Sequence, residues 1–172
     1  VRLNHMGFVF QQSHLLKNLT LRDNIVLPGF KAGVQSREAV NQSAEALMKK
    51  MDITHIAHHD IRKVSGGQLQ RAAICRALIN APDILFADEP TGALNSSASK
   101  EVMDILNGLN KEGTTIILVT HDAKVASRAS RVVFIMDGHI KNEIQFSPYD
   151  FEAEDHLTRE KKLGIWLDAQ GL

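Results

Sequence analysis

The chain has a single cysteine, Cys75, among 172 residues, so no disulfide can form within it. That scarcity points to a reducing compartment. Charge of one sign is also missing. Twenty Lys and Arg balance twenty Asp and Glu, which argues against a nucleic-acid partner, since tracking a phosphate backbone needs clustered basic residues. Long apolar runs are lacking too. Runs such as IILV at 116–119 fall far short of the roughly 20 residues that cross a bilayer as a helix, so no direct membrane insertion is expected. No basic-then-apolar leader opens the chain, and nothing in it points to secretion. It starts at Val1 and enters a strand-like run within a few residues; it reads as a piece of a longer chain.

What is present is 44% hydrophobic, enough for one domain with a real core. MGFVFQQ (6–12) reads as a strand. Residues 13–34 carry Pro28, Gly29 and Gly33 and read as an irregular surface segment. From Ser36, Val40, Ala44, Leu47, Met48 and Met51 recur at helical spacing and form a buried stripe. Residues 55–63 are polar and weakly patterned; His55, His58 and His59 there lack acidic or Cys partners at a regular spacing and read as a solvated loop. A helix is expected over 66–79, ended by Pro82, then a buried strand ILFAD (84–88) and a helix over about 98–110 with Val102, Ile105, Leu106 and Leu109 on one face. Further strands are read at 114–121 and 131–140, with a short helix near 122–129. Strands alternating with helices imply an α/β fold, a mainly parallel sheet flanked by helices. The charged tail, 147–172, reads as a peripheral helix with Trp166 as its packing anchor.

Ligands of open α/β sheets collect at the carboxyl ends of the strands. Here those ends carry Gln11, then Asp88 and Glu89, then Thr120, His121 and Asp122. Two carboxylates, an amide and an imidazole on one rim suit metal-assisted hydrolysis. One carboxylate orients a hydrated Mg²⁺, the other polarises a water, and the imidazole steadies developing phosphate charge. The bland alternative is that Asp88 and Glu89 only cap or pair at a strand end.

The stretch KVSGGQLQRAAICRA (63–77) adds a second feature. Gly costs a helix interior about 1 kcal/mol against Ala, yet Gly66 and Gly67 stand at the start of a helix-forming run. Bare backbone N–H groups at a helix N-terminus, with roughly half a unit of positive charge from the dipole, bind anions, phosphate above all. Ser65 adds a hydroxyl at the N-cap position and Gln68 an amide. An ordinary Ser-capped helix with a tight turn is the competing reading.

Taken in order, these segments resemble the ATP-binding cassette (ABC) ATPases over residues 6–140. GFVFQQ resembles their Q-loop, VSGGQ their signature, ILFADEPT their Walker B, GALN their D-loop and VTHD their switch-histidine loop. The wording of LTLRDNIVLP and FADEPTGAL is similar to the bacterial branch that serves macrolide, antimicrobial-peptide and lipoprotein transporters. The resemblance implies a P-loop NTPase-like ABC ATPase fold with a helical signature subdomain at about 13–80, a partial ATPase domain over 1–145 and a tail over 146–172. It implies ATP and Mg²⁺ as cofactors. Gln11 would contact Mg²⁺ and the attacking water, Asp88 would hold Mg²⁺ through water, Glu89 would be the general base and His121 would contact the γ-phosphate. Ser65, Gly66, Gly67 and Gln68 would meet ATP held by a second subunit in a head-to-tail dimer. Gly92, Ala93, Leu94 and Asn95 would form the D-loop. A transmembrane permease would be the other partner, holding the subunit at the cytoplasmic face of the membrane, with Leu15, Leu16 and Ile25 either touching it or filling a satellite core.

Two departures stand out: Val64 replaces the signature's usual first Leu, and Asn95 replaces the D-loop's usual Asp, which places the coupling between paired sites in question. The phosphate loop GxxxxGK[ST] is missing. Its nearest match, GLNKEGTT from Gly108, has no Lys after Gly113 and follows a helix. In this family the loop precedes the Q-loop and would lie before Val1. The 172 residues alone are therefore expected neither to bind ATP tightly nor to turn it over, and to expose apolar surface. Two other functions remain open: a DNA-repair or chromosome-type ATPase of the same superfamily, against which the short Q-loop-to-signature interval and the single Cys argue, and a non-catalytic remnant that binds protein.

Overall fold

The computed structural model describes residues 5–149 and 156–171. The chain forms two compact units, residues 1–119 and 120–172.

The first unit is built on three parallel strands, β1 (Met6–Phe10), β2 (Ile84–Asp88) and β3 (Thr115–Val119), in the order β1-β2-β3. Between them run α1 (Leu21–Ala32), α2 (Arg37–Lys50), α3 (Gly66–Leu78) and α4 (Ser96–Lys111). Side chains alternate across a strand, and the register Val9↔Ala87↔Leu118 sets one face of the sheet. Val9, Leu85 and Ala87 on it are buried. The helix α3 crosses β1 closely, because a Cβ built on Gly7 would stand 2.7 Å from the Ala77 carbonyl. The opposite face carries Phe8 stacked on Phe86 at 5.2 Å and leaves Phe10, Ile117 and Val119 exposed.

Residues 13–34 are not irregular throughout: twelve of them, Leu21–Ala32, form α1. Thr20 and Asp23 make a capping box, in which the Thr20 hydroxyl oxygen accepts from the Asp23 N–H at 3.1 Å and the Asp23 carboxylate accepts from the Thr20 N–H. Gly33, at φ 65°, closes the far end. Pro28 removes one helical donor, but burial of Leu21, Ile25 and Val26 outweighs that loss. Leu15 and Ile25 are buried and fill this core, whereas Leu16 stays exposed. The predicted stripe packs inward through Val40, Ala44 and Met48 of α2 and Met51 at its C-terminal cap. Residues 55–63 form two short 3₁₀ turns, Thr54–Ile56 and Ile61–Lys63, pinned by buried Ile56 and Ile61.

In the second unit, the segment read as one strand over 131–140 is the start of a hairpin. It consists of β4 (Arg131–Met136) and β5 (His139–Gln145). Asp137 at φ 52° and Gly138 at φ 74° make the turn, the Asp-Gly chemistry that two-residue hairpin loops demand. The short helix α5 (Ala123–Ala126) precedes it, and α6 (His156–Asp168) follows. Arg159 on α6 is buried and donates to the carbonyls of Ser127, Ala129 and Ser147 at 2.7–2.9 Å. Its guanidinium also lies over the rings of Phe146 and Tyr149. Trp166 meets Phe134 edge to face at 6.5 Å, the anchor expected of it.

Candidate functional site

The parallel register aligns Phe10 with Asp88 and Asp88 with Val119. Gln11 and Glu89 therefore each stand one residue beyond the same level of the sheet. The backbone at Glu89 is fastened on both sides: its N–H donates to the Val119 carbonyl at 2.9 Å, and its carbonyl accepts from the Gly92 N–H at 3.1 Å. Glu89 has φ 45°, a left-handed conformation that costs a residue with a Cβ about 1–2 kcal/mol. Strain of this kind persists only where the surroundings over-determine it. Asp88, at the strand's last position, is exposed, and Glu89 is half-buried.

Gln11 lies against the turn that follows Glu89. A Cβ on Gly92 would stand 2.9 Å from Gln11 Nε2 and 3.1 Å from its Cδ. Farther along the same turn, Leu94 N–H donates to the Thr91 carbonyl at 3.0 Å. Asn95 then caps α4, accepting from the Ala98 N–H at 2.9 Å. Asn and Asp serve equally well as N-caps, so the substitution that set Asn95 apart leaves this local geometry intact.

The N-terminus of α3 reaches the same turn. Ser65 and Gln68 make a reciprocal capping box: Ser65 Oγ accepts from the Gln68 N–H at 3.3 Å and Gln68 Oε1 accepts from the Ser65 N–H at 2.9 Å. The box consumes acceptors and leaves the hydroxyl hydrogen and the amide nitrogen as donors. Ser65 and Gly66 are exposed. A Cβ on Gly66 would only touch Leu94 at 3.4 Å, whereas one on Gly67 would press on the Ala98 Cβ at 3.1 Å. Close packing against the start of α4 thus accounts for the second glycine without any ligand.

Residues 92–98 accordingly join Gln11 at one end to the turn of residues 65–68 at the other. His121 belongs to the second unit. It is exposed and stands between Thr120, whose hydroxyl accepts from the Asp122 N–H at 3.1 Å, and Asp122, which caps α5 through the Lys124 N–H at 2.8 Å. Among the described residues no cluster of three or more His, Cys, Asp or Glu side chains is arranged to hold a metal. Mg²⁺ needs no such cage, because it keeps several waters and takes one or two carboxylates plus substrate phosphates. The exposed Asp88 carboxylate and the Gln11 amide oxygen are hard donors of that kind. Sequence reasoning missed Gln70 and Arg76 on α3, whose partners lie some sixty residues away.

The family model described as ABC transporter matches residues 2–92, more than half of the chain. A macrolide export ATP-binding/permease protein MacB of Psychrobacter arcticus is 46% identical over 98% of this chain and 26% of its own length. MacB 2 of Aeromonas hydrophila is 44% identical over 98% and 26%, so the chain spans about a quarter of the length of these curated relatives. Among solved structures, the ATP-binding cassette MJ0796 in a dimeric post-hydrolysis state with ADP and Pi is 39% identical, with a TM-score of 0.74 over 86% of this chain and 66% of that one. A second dimeric structure of MJ0796, a bacterial ABC transporter cassette, gives 0.75 over the same shares. The α/β sheet, the order of its motifs and the family match agree: this chain belongs to the ABC transporter family.

Proposed function

We propose that the chain is part of an ATP-hydrolysing subunit that powers a membrane transporter, an exporter of the macrolide, antimicrobial-peptide or lipoprotein type. The observation that carries this reading is Glu89, held in a strained conformation at the end of β2 with Gln11 laid against the turn behind it. Glu89 takes a proton from the attacking water as oxygen bonds to the γ-phosphorus. The bond to the β,γ-bridging oxygen breaks, releasing ADP and phosphate. Gln11 orients that water. Mg²⁺, when bound, neutralises phosphate charge, with Asp88 through water and Gln11 as its protein partners. The contact of His121 to the γ-phosphate is proposed from its position two residues past β3.

The donors left over by the Ser65–Gln68 box support a role for residues 65–68 against the nucleotide of a second subunit in a head-to-tail dimer. The dimeric state named for the MJ0796 cassettes and the permease named in the MacB relatives support the two partners. Among the described residues no helix is long and apolar enough to cross a membrane; the subunit would sit at the cytoplasmic face through its permease. The relatives' names favour transport over DNA repair.

The test is ATP turnover by the full-length protein that carries this chain. Glu89→Gln, which keeps shape and removes the base, should cut kcat by at least about a hundredfold while ATP still binds. Equal turnover by the two would overturn the reading. The 172 residues contain no GxxxxGK[ST] sequence, and on their own they are proposed to neither hold ATP tightly nor hydrolyse it.

A further inference from the structure

The segment that carries Gln11 has backbone groups in need of partners. Residues 11–14 lie outside regular structure, with 11, 12 and 14 exposed, so their carbonyls have no ladder to join and are left to side chains or water for partners. The helix α3 provides them. Gln70, buried on its first turns, donates from Nε2 to the Phe10 carbonyl at 3.0 Å. Arg76, two turns farther on, donates from Nη1 to the His14 carbonyl and from Nη2 to the Ser13 carbonyl, both at 2.7 Å. Water would satisfy the outer carbonyls at no cost in side-chain order, whereas immobilising an Arg and a Gln costs about 1.5–2 kcal/mol each in rotamer freedom. The outlay makes sense if the position of the segment matters.

The helix that grips residues 10–14 is the one that begins with Ser65, Gly66 and Gly67. We infer that Gln70 and Arg76 are positioning residues: they clamp the Gln11 segment to α3, so that Gln11 and the turn of residues 65–68 move as one body. The catalytic consequence rests on the reading of Gln11 given above; the clamp itself rests on the hydrogen bonds. Neither side chain touches a reacting atom. Each acts by holding the backbone from which Gln11 projects, and a misplacement on the order of 1 Å can cost about a hundredfold in rate.

Two measurements on the full-length protein separate the clamp from the activity. First, a nitroxide on Gln12→Cys, an exposed position next to Gln11, reports local mobility by electron paramagnetic resonance, on a background cleared of other reactive cysteines; the label is used for mobility only, and turnover is measured on the unlabelled proteins. Cys75 can stay, since burial pushes its thiol up to about 12. Gln70→Met and Arg76→Met, which keep bulk and remove the donors, should both mobilise the label, and Arg76→Lys, with one donor arm, should mobilise it less. Second, kcat per folded molecule should fall about tenfold in the Met variants with KM changed less than about twofold, and Arg76→Lys should fall between. An unchanged label spectrum in both Met variants overturns the clamp whatever the kinetics. A mobilised label with unchanged kcat overturns the positioning role. If the wild-type protein hydrolyses no ATP, the ATPase reading falls, and the label still decides the clamp.

Discussion

Gln11 and Gly92 are in contact: the position a Cβ would take at residue 92 lies 2.9 Å from the Gln11 side-chain nitrogen and 3.1 Å from its amide carbon. Gly92 does not have a positive φ, so its lack of a side chain answers to space and not to backbone conformation. The space belongs to a group proposed to orient the attacking water. Clearance for one side chain by another's absence ties the Q-loop segment to the turn after Glu89.

Gly92→Ala should therefore be mild for folding and severe for turnover. The obstructing atoms are the far end of a flexible side chain, and the site is exposed, so stability should stay within about 0.5 kcal/mol. The displaced Gln11 amide should lower kcat about tenfold or more. Thermal unfolding and steady-state hydrolysis by the full-length protein check both halves.

Gly7→Ala should show the reverse balance. There the obstruction is the Ala77 backbone carbonyl at 2.7 Å, which cannot move without α3, together with Cδ1 of the fully buried Leu85 at 2.9 Å. Overpacking of this kind costs about 1–3 kcal/mol. Gly108→Ala is the control, because nothing lies within 4 Å of a Cβ on that helical glycine and Ala should gain up to about 1 kcal/mol. Urea midpoints that fail to separate the two variants would contradict the close α3–β1 crossing.

Much of this arrangement was legible in the residues, for identifiable reasons. ILFAD is a short apolar run ending in a carboxylate and is a strand with those bounds. Ser65 and the glycines after it start a helix where a capped turn should. The misses follow from signals given the wrong weight. Pro28, Gly29 and Gly33 read locally as breakers, whereas Thr20 and Asp23 form a cap and Gly33 is the stop of a helix. The Asp137–Gly138 turn is masked in the sequence by the β-rich residues on both sides of it. The fit of Gly67 on Ala98 and of Gln70 on Phe10 leaves no local trace, because each joins positions some thirty to sixty residues apart.

Glu89→Gly should separate stability from activity at one position. The left-handed φ of 45° is free to glycine and costs other residues about 1–2 kcal/mol. Removing the side chain should raise the urea midpoint while abolishing turnover. Glu89→Gln, which keeps the Cβ, should lose turnover with no such gain. A destabilised Glu89→Gly variant would mean that the carboxylate's own interactions outweigh the strain.

Acid should loosen the first unit through Asp60. Its carboxylate caps the Ile61–Lys63 turn and pairs with Arg62, and the Arg62 side-chain hydrogen bonds, then its backbone N–H, hold the carboxyl well below the ordinary carboxylate range. The neighbouring backbone receives α1, since Leu21 N–H donates to the His59 carbonyl and Arg22 N–H to that of Ala57. A carboxyl whose folded pKa is depressed stabilises fully above its unfolded value, about 3.9 for Asp. That stabilisation is lost as pH falls through the lower folded value. The urea midpoint of the wild-type protein should thus drop more steeply from about pH 5 downward than that of Asp60→Asn, which keeps a capping oxygen and has no charge to lose. Parallel profiles for the two proteins would show that the Asp60–Arg62 pair is screened by solvent and that the acid response arises elsewhere.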